Sequence, residues 1–204
     1  MLRRQAGFVY ETAGRIIHEP RLGREFPRFL ATGGRGAMRL RLPWLPFRLI
    51  DELEAIVGSG TRVFEYGGGG STLWFLDRGA ALVTVEHDER WAAVLERSVN
   101  SGDWTLLRPA IADGYAEYAG AISSFPDGWF DVVVIDGRAR ARCAVRAMPK
   151  VKPAGLLLID DINRKKHTRA VKAVPWPRRD VIGFAPGKLS LGYTAVLTRP
   201  RATV

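Results

Sequence analysis

The chain has 204 residues, 47% hydrophobic and 25% charged, with a formal net charge of +10 at pH 7. This composition fits one globular domain with a short extension and excludes a disordered chain. No apolar run approaches the roughly 20 residues of a membrane span. The first residues, MLRRQAGFVYETAG, carry two arginines but no long apolar stretch and no clear cleavage site, which argues against a signal peptide. One cysteine, Cys143, has no partner for an internal disulfide, so a reducing cytoplasm is the simplest compartment. The positive charge fits a nucleic-acid partner or peripheral contact with an anionic membrane. It equally fits a compositional bias, because the basic residues spread from Arg3 to Arg201.

Residues 1–42 read as a basic, partly helical N-terminal extension. Leu2, Ala6, Val9, Ala13 and Ile16 recur at helical spacing, and the stretch after them is basic and broken by Pro20 and Pro27. Three roles fit it: packing on the core, lying on a membrane surface, or covering a substrate. Residues 43–204 read as one α/β domain. A helix is expected over 47–57, ended by Gly58 and Gly60. TRVFEY is a strand, STLWFLDRG a helix, ALVTVE a strand, and DERWAAVLERSVN a helix capped by Asp88. WTLLRPA is a short strand and GYAEYAGAIS a helix. FDVVVID and GLLLIDD are nearly continuous apolar runs, as expected of parallel strands buried on both faces; ARARCAVRAMPK between them is a helix. The end, DVIGFAPGKLSLGYTAVLT, reads as an antiparallel hairpin around Pro186-Gly187.

Strand and helix alternate, so the sheet is doubly wound and mostly parallel. Ligands of such sheets bind outside the carboxyl ends of the strands. Those ends carry Glu65 to Gly70, Glu86 to Asp88, Asp113, Asp136 to Arg138, and Asp160 to Asn163. The first is FEYGGGGST. Glycine there lets a ligand approach the backbone and meet free N–H groups at the helix start. Gly67 and Gly69 give the first half of a dinucleotide fingerprint, but Thr72 stands where its last glycine belongs, and no lysine follows as in a phosphate loop. Glu65 is poor company for a pyrophosphate and suits a ligand with a cationic end. Glu86, 21 residues on, ends the next strand, where a carboxylate can hold both hydroxyls of a ribose.

FEYGGGGST, followed by VTVEHD and later FDVVVIDG and GLLLIDD, resembles the class I S-adenosylmethionine-dependent methyltransferases. PWL, FEYGGGGSTLWF, VEHDERW and IDGRARARC are similar to a bacterial subgroup whose substrates are unknown. The resemblance covers about residues 63–198. It implies a Rossmann-like sheet of seven strands, the last antiparallel and reached through the hairpin. It implies S-adenosylmethionine bound by Glu65, Tyr66, Gly67, Gly68, Gly69, Ser71, Thr72, Glu86, His87 and Asp136. Asp113 is the best match to an acidic residue near the adenine amino group. Asp136, Arg138 and Asp160 are the expected catalytic residues. Related O-methyltransferases bind a divalent ion at similar strand ends, so Asp136, Asp160 and Asp161 are candidate magnesium ligands. Arg138 departs from that metal pattern, and the other reading is that Asp136 orients substrate while Asp160 and Asp161 brace the next loop.

Other residues have two readings. Arg138, Arg142 and Arg146 share a helix face, either clamping an anion or solvated. His167 is either a general base or a surface residue. Cys143, Trp74 and Trp91 read as packing groups. Trp44 is placed to cover a ligand from the N-terminal side. The expected activity is methyl transfer to a hydroxyl of a small molecule or glycan. The alternatives are nucleic-acid methylation, a nicotinamide-dependent oxidoreductase, which Glu65 and Thr72 oppose, and a non-catalytic Rossmann-like binding protein.

Overall fold

The computed structural model describes residues 20–100 and 102–201. The helical pattern expected from Leu2 to Ile16 lies outside them. Seven strands form one sheet: β1 Arg62–Tyr66, β2 Ala81–Val85, β3 Trp104–Leu107, β4 Phe130–Ile135, β5 Val151–Ile159, β6 Arg178–Phe184 and β7 Leu191–Thr198. Their order is β3-β2-β1-β4-β5-β7-β6. All neighbouring pairs are parallel except those made by β7, which is antiparallel to both β5 and β6. The expected mostly parallel sheet with its terminal hairpin is what forms.

Alternation along the strands divides the core in two. Val63, Val132, Val134 and Leu158 face one side with Leu49, Leu53, Trp74 and Phe75. These last four come from helices α3, Phe47–Glu54, and α4, Gly70–Asp77. Phe64, Tyr66, Val133, Ile135, Leu157 and Ile159 face the other side with Tyr118, Cys143, Ala144 and Ala170. Their helices are α6, Ala116–Gly120, α7, Arg140–Ala147, and α8, Thr168–Lys172; helix α5 spans Glu89–Ser98. Burial on both faces is why β4 and β5 read as continuous apolar runs.

The described part of the N-terminal extension is built into this core. Helix α1, Pro20–Ala31, sends Leu22 and Phe29 into the first cluster, and Phe29 stacks on Phe184 of β6 with ring centroids 5.1 Å apart. Glu25 accepts a hydrogen bond from the Phe184 N–H at 3.1 Å on the edge strand. After the short helix α2, Ala37–Leu40, the backbone runs against the first residue of α4. A Cβ at Gly70 would fall well inside van der Waals contact of the Leu42 and Ala37 carbonyl oxygens.

Gly70→Ala therefore tests whether residues 37–42 are held against the turn. Helix propensity alone would make alanine stabilising by about 0.5–1 kcal/mol. The clash should instead cost about 1–3 kcal/mol in urea unfolding and speed tryptic cleavage at Arg39 and Arg41. A more stable variant would refute the packing.

Candidate active site

The four glycines do different things. Gly67 has φ +88, and a Cβ on it would lie 2.9 Å from the Gly137 Cα, so the turns after β1 and β4 cross there with no room for a side chain. Their crossing is fixed by the Asp136 N–H donating to the Tyr66 carbonyl at 3.1 Å. At Gly68 a Cβ would meet the Leu95 and Thr84 side chains. Gly70 packs against the N-terminal segment. Gly69 alone of the four faces open space, with no atom within 4 Å of the position a Cβ would take.

Glu65 supports this turn from beneath. The parallel register sets it beside Thr84. Its Oε2 accepts from Thr72 Oγ1 at 2.6 Å and from Thr84 Oγ1 at 3.2 Å, and Thr72 Oγ1 in turn accepts the Gly69 N–H at 2.9 Å. The residue is 0% exposed, and Oε1 has no partner among the described residues. Burial pushes its carboxyl up to about 7, against the opposing pull of the Ser71, Thr72 and Thr84 hydroxyls. Glu65 thus does not line the cleft, contrary to expectation, and Thr72 is a brace for it. Tyr66 likewise gives only its backbone, since its ring is in the core and its hydroxyl donates to the Ala119 carbonyl at 2.8 Å.

Above the turn lies a cleft of two chambers that share Gly67, Gly68 and Asp136. The smaller, about 490 Å³, is walled by Gly69, Ser71, Met38, Trp44 and Trp91. Trp91 was expected in the core; it is partly exposed and donates its indole N–H to the Gly68 carbonyl at 2.8 Å. The larger, about 570 Å³, is bordered by Glu86, His87, Tyr118, Arg138 and His167. Glu86 is nearly buried, and its Oε1 accepts the N–H groups of His87 and Asp88 at 2.8 and 2.9 Å. Asp113 is not brought to the cleft. It is exposed, and both its oxygens cap α6 by accepting from Ala116 and Glu117. Ala139 and Asp161 beside the cleft hold left-handed backbone, φ +47 and +55, strain of the kind that collects at functional sites.

These residues fit S-adenosylmethionine. Gly69 leaves the cradle open, helix α4 starts there without a side-chain cap, Glu86 stands just past the end of β2, where a carboxylate can hold a ribose, and the buried Tyr118 hydroxyl on the larger chamber lacks a partner among the described residues.

Magnesium does not fit. Asp136, Asp160 and Asp161 do bring one oxygen each within 4.8 Å of one another. Three cations already serve them. The Arg140 guanidinium donates to Asp136 Oδ1 at 2.8 Å and lies 3.7 Å from Asp161. Lys188 is 3.2 Å from Asp161 and 3.9 Å from Asp160, and Arg164 is 3.0 Å from Asp161. A divalent ion would have to displace Arg140, which also donates to the backbone carbonyls of Asp136 and Asp160. Asp160 is 2% exposed and accepts from Thr194 at 2.6 Å; it braces the strand end and is no longer a candidate to touch substrate. Burial raises its pKa, with Lys188 opposing. Asp136 is also raised, by burial and by the Asp160 charge, with Arg140 opposing; its side chain keeps 39% exposure to the open cleft, and water there moderates the effect. Burial works to raise Asp161 too, but Lys188, Arg140 and Arg164 more than offset it and hold it below the usual range.

One residue of this site escaped the sequence analysis in its role. Helix α7 starts at Arg140, after Ala139, so Arg138 precedes the helix and does not share its face. The inward arginine is Arg140, 8% exposed; its spacing to Cys143, Ala144 and Ala147, the buried face of α7, was the available signal. His167 is buried. Its Nδ1 lies 3.0 Å from the Asp161 carbonyl, which fixes the tautomer with Nδ1–H donating.

The family described as "Methyltransferase domain" matches residues 64–162. The fold is similar to precorrin-6y C5,15-methyltransferase from Geobacter metallireducens, with TM-score 0.55 and 13% identity over 74% of this chain and 87% of that one. It is similar to an S-adenosylmethionine-dependent O-methyltransferase from Thermotoga maritima, TM-score 0.54 and 11% identity over 76% and 65%. Spermidine synthase from Thermotoga maritima also matches, TM-score 0.50 and 18% identity over 68% of this chain; the chain spans only 53% of that protein. A search of curated proteins finds no match. Residues 64–162 thus match a methyltransferase domain, and the sheet around them has the class I, Rossmann-like fold of these solved structures.

Two outcomes are expected. The folded-state pKa of Glu65 lies above the ordinary 4.5, so its contribution to stability is fully present below about pH 4.5 and is lost as pH rises through about 7. Glu65→Gln, permanently neutral, should flatten the pH dependence of the unfolding free energy over that window, by up to about 3 kcal/mol; an unchanged slope would show that Glu65 is not the titrating group. Adding magnesium or EDTA should leave the thermal midpoint and any methyl transfer unchanged, and a midpoint raised by magnesium would reinstate the metal site.

Proposed function

We propose that the protein transfers the methyl group of S-adenosylmethionine to a hydroxyl oxygen of a small molecule or glycan, in the cytoplasm. The observation that carries this reading is His167, a buried, tautomer-locked imidazole on the larger chamber, which Asp136 also lines. A hydroxyl acceptor must shed its proton as its oxygen forms the new bond, and a neutral imidazole is suited to take it. Burial and the neighbouring Arg140 lower the His167 pKa, outweighing the Asp161 carbonyl, so the ring is neutral at pH 7.

Gly69 and the start of α4 would hold the amino-acid end of the cofactor, Glu86 the ribose, and His87 and Tyr118 the rim beyond it. When bound, the cofactor supplies an electrophilic methyl carbon on a sulfonium. The chain's own part is alignment and charge. Asp136, at the partition of the two chambers, accepts the acceptor's hydroxyl or a neighbouring one and fixes its approach. His167 Nε2 receives the proton and passes it to water. Trp44 and Trp91 wall the cofactor side against solvent. The +10 charge supports the second reading, a nucleic-acid acceptor.

Release of S-adenosylhomocysteine in the presence of hydroxylated acceptors is the direct test. His167→Gln should lower kcat about 100-fold or more and leave S-adenosylhomocysteine affinity unchanged. Wild-type kcat should fall at acid pH with an apparent pKa below 6.5, and the variant should lose that limb. Equal rates in both proteins would remove His167 from the mechanism.

A further inference from the structure

The larger chamber carries more positive charge than a cofactor with a cationic sulfonium can use. Arg138, just before α7, and Arg142, in its first turn, line the cavity together with Lys166 and Arg169, from the turn Lys165–His167 and helix α8. None of these four has a carboxylate partner among the described residues. Arg142 is nonetheless held in place, donating to the Gly114 carbonyl at 2.7 Å. Some cations elsewhere on the surface are matched, as Arg28 is to Asp51 at 2.6 Å and Lys150 to Asp127 at 2.7 Å, and others such as Arg90, Arg97 and Lys172 are not, among the described residues; what sets these four apart is that they border one cavity. Two further arginines on the chamber, Arg140 and Arg164, are spent on Asp136 and Asp161. The carboxylates on its wall are Glu86 and Asp136.

S-adenosylmethionine is itself a net cation at neutral pH, with a sulfonium and an ammonium against one carboxylate. It adds to this excess and cannot neutralise it. The anion must come with the other substrate. One arginine fork suffices for a carboxylate, whereas four separate cations around one cavity suit a group with several charged oxygens pointing in different directions. The chamber is about 570 Å³ in volume, the size of a small-molecule site.

We infer that the methyl acceptor is a phosphorylated small molecule, its phosphoryl group held by Arg138, Arg142, Lys166 and Arg169 while its hydroxyl reaches Asp136 and His167. This rests on the methyltransferase reading above. Phosphate recognition also separates the two substrates spatially: cofactor along the glycine turn, anion along α7 and α8.

The test is calorimetry on the full chain, with and without saturating S-adenosylhomocysteine. The titrants are inorganic pyrophosphate, citrate and a 12-nucleotide single-stranded oligonucleotide, each at low and high salt. Pyrophosphate should bind more tightly than citrate, and Lys166→Ala/Arg169→Ala should weaken it at least about tenfold without changing the thermal midpoint or S-adenosylhomocysteine affinity. Pyrophosphate binding no tighter than citrate, or unaffected by the double substitution, would overturn the proposal. Oligonucleotide binding tighter than pyrophosphate, with a steep salt dependence, would overturn it in favour of a nucleic-acid acceptor. Loss of S-adenosylhomocysteine binding alone, with pyrophosphate still bound by these residues, would sink the methyltransferase reading and leave the anion site standing.

Discussion

The site depends on one buried cation. Arg140 turns inward from the first residue of α7 and ties the ends of β4 and β5 together, donating to the Gly137, Asp136 and Asp160 carbonyls and to the Asp136 carboxylate. A parallel sheet leaves the carbonyl ends of its strands unpaired where the loops depart, and a guanidinium with five N–H donors can satisfy several of them at once. The same charge, with Lys188 and Arg164, makes a cluster of three carboxylates tolerable at one strand end. Without it, Asp136 would lose its ion pair while Asp160 kept only Lys188 and Thr194, and the strand ends that shape the cleft would lose their common anchor.

The glycine turn shows a similar division of labour. A run of four glycines suggests an open cradle, yet only Gly69 is open. The others let the turn pack closely against three neighbours: the turn after β4, the Leu95 and Thr84 side chains of α5 and β2, and the backbone of residues 37–42. Glu65 belongs to this scaffold. It sits below the turn, holding Thr72 and through it the Gly69 N–H. A residue can therefore be essential to a ligand site while remaining entirely out of the ligand's reach.

Much of the fold was legible in the sequence, because strand and helix alternate with clear periods and their termini carry recognisable caps. Asp88 caps α5 as expected, and the continuous apolar runs of β4 and β5 correctly signal burial on both faces. The positions of Glu86, Asp136 and the glycine turn followed from the rule that ligands sit at strand ends. What escaped notice depends on direction. Whether a strand-end carboxylate points up into the cleft, as Asp136 does, or down into the turn, as Glu65 does, is set by cross-strand neighbours such as Thr84 that sequence spacing does not display. Asp113 was misread for another reason: β3 ends at Leu107, well before it, and its carboxylate is taken up by the start of the next helix. Arg138 and Arg140 were exchanged because the helix begins two residues later than a face-counting argument assumes.

The crossing of the two turns bears on how the sequence can drift. Gly67 and Gly137 sit back to back, and a methyl on either would strike the other's backbone or, at position 137, the Tyr118 hydroxyl as well. Gly67 cannot be exchanged for a side chain and then rescued by shrinking its neighbour, because the neighbour is already the smallest residue there is. At position 137 the tightest contact is a side chain, so loss of the Tyr118 hydroxyl is the one small change that would make room there. A suppressor of a change at Gly67 would have to move backbone, whereas the cations around the larger chamber are separate and solvent-facing, and each can change without disturbing that crossing.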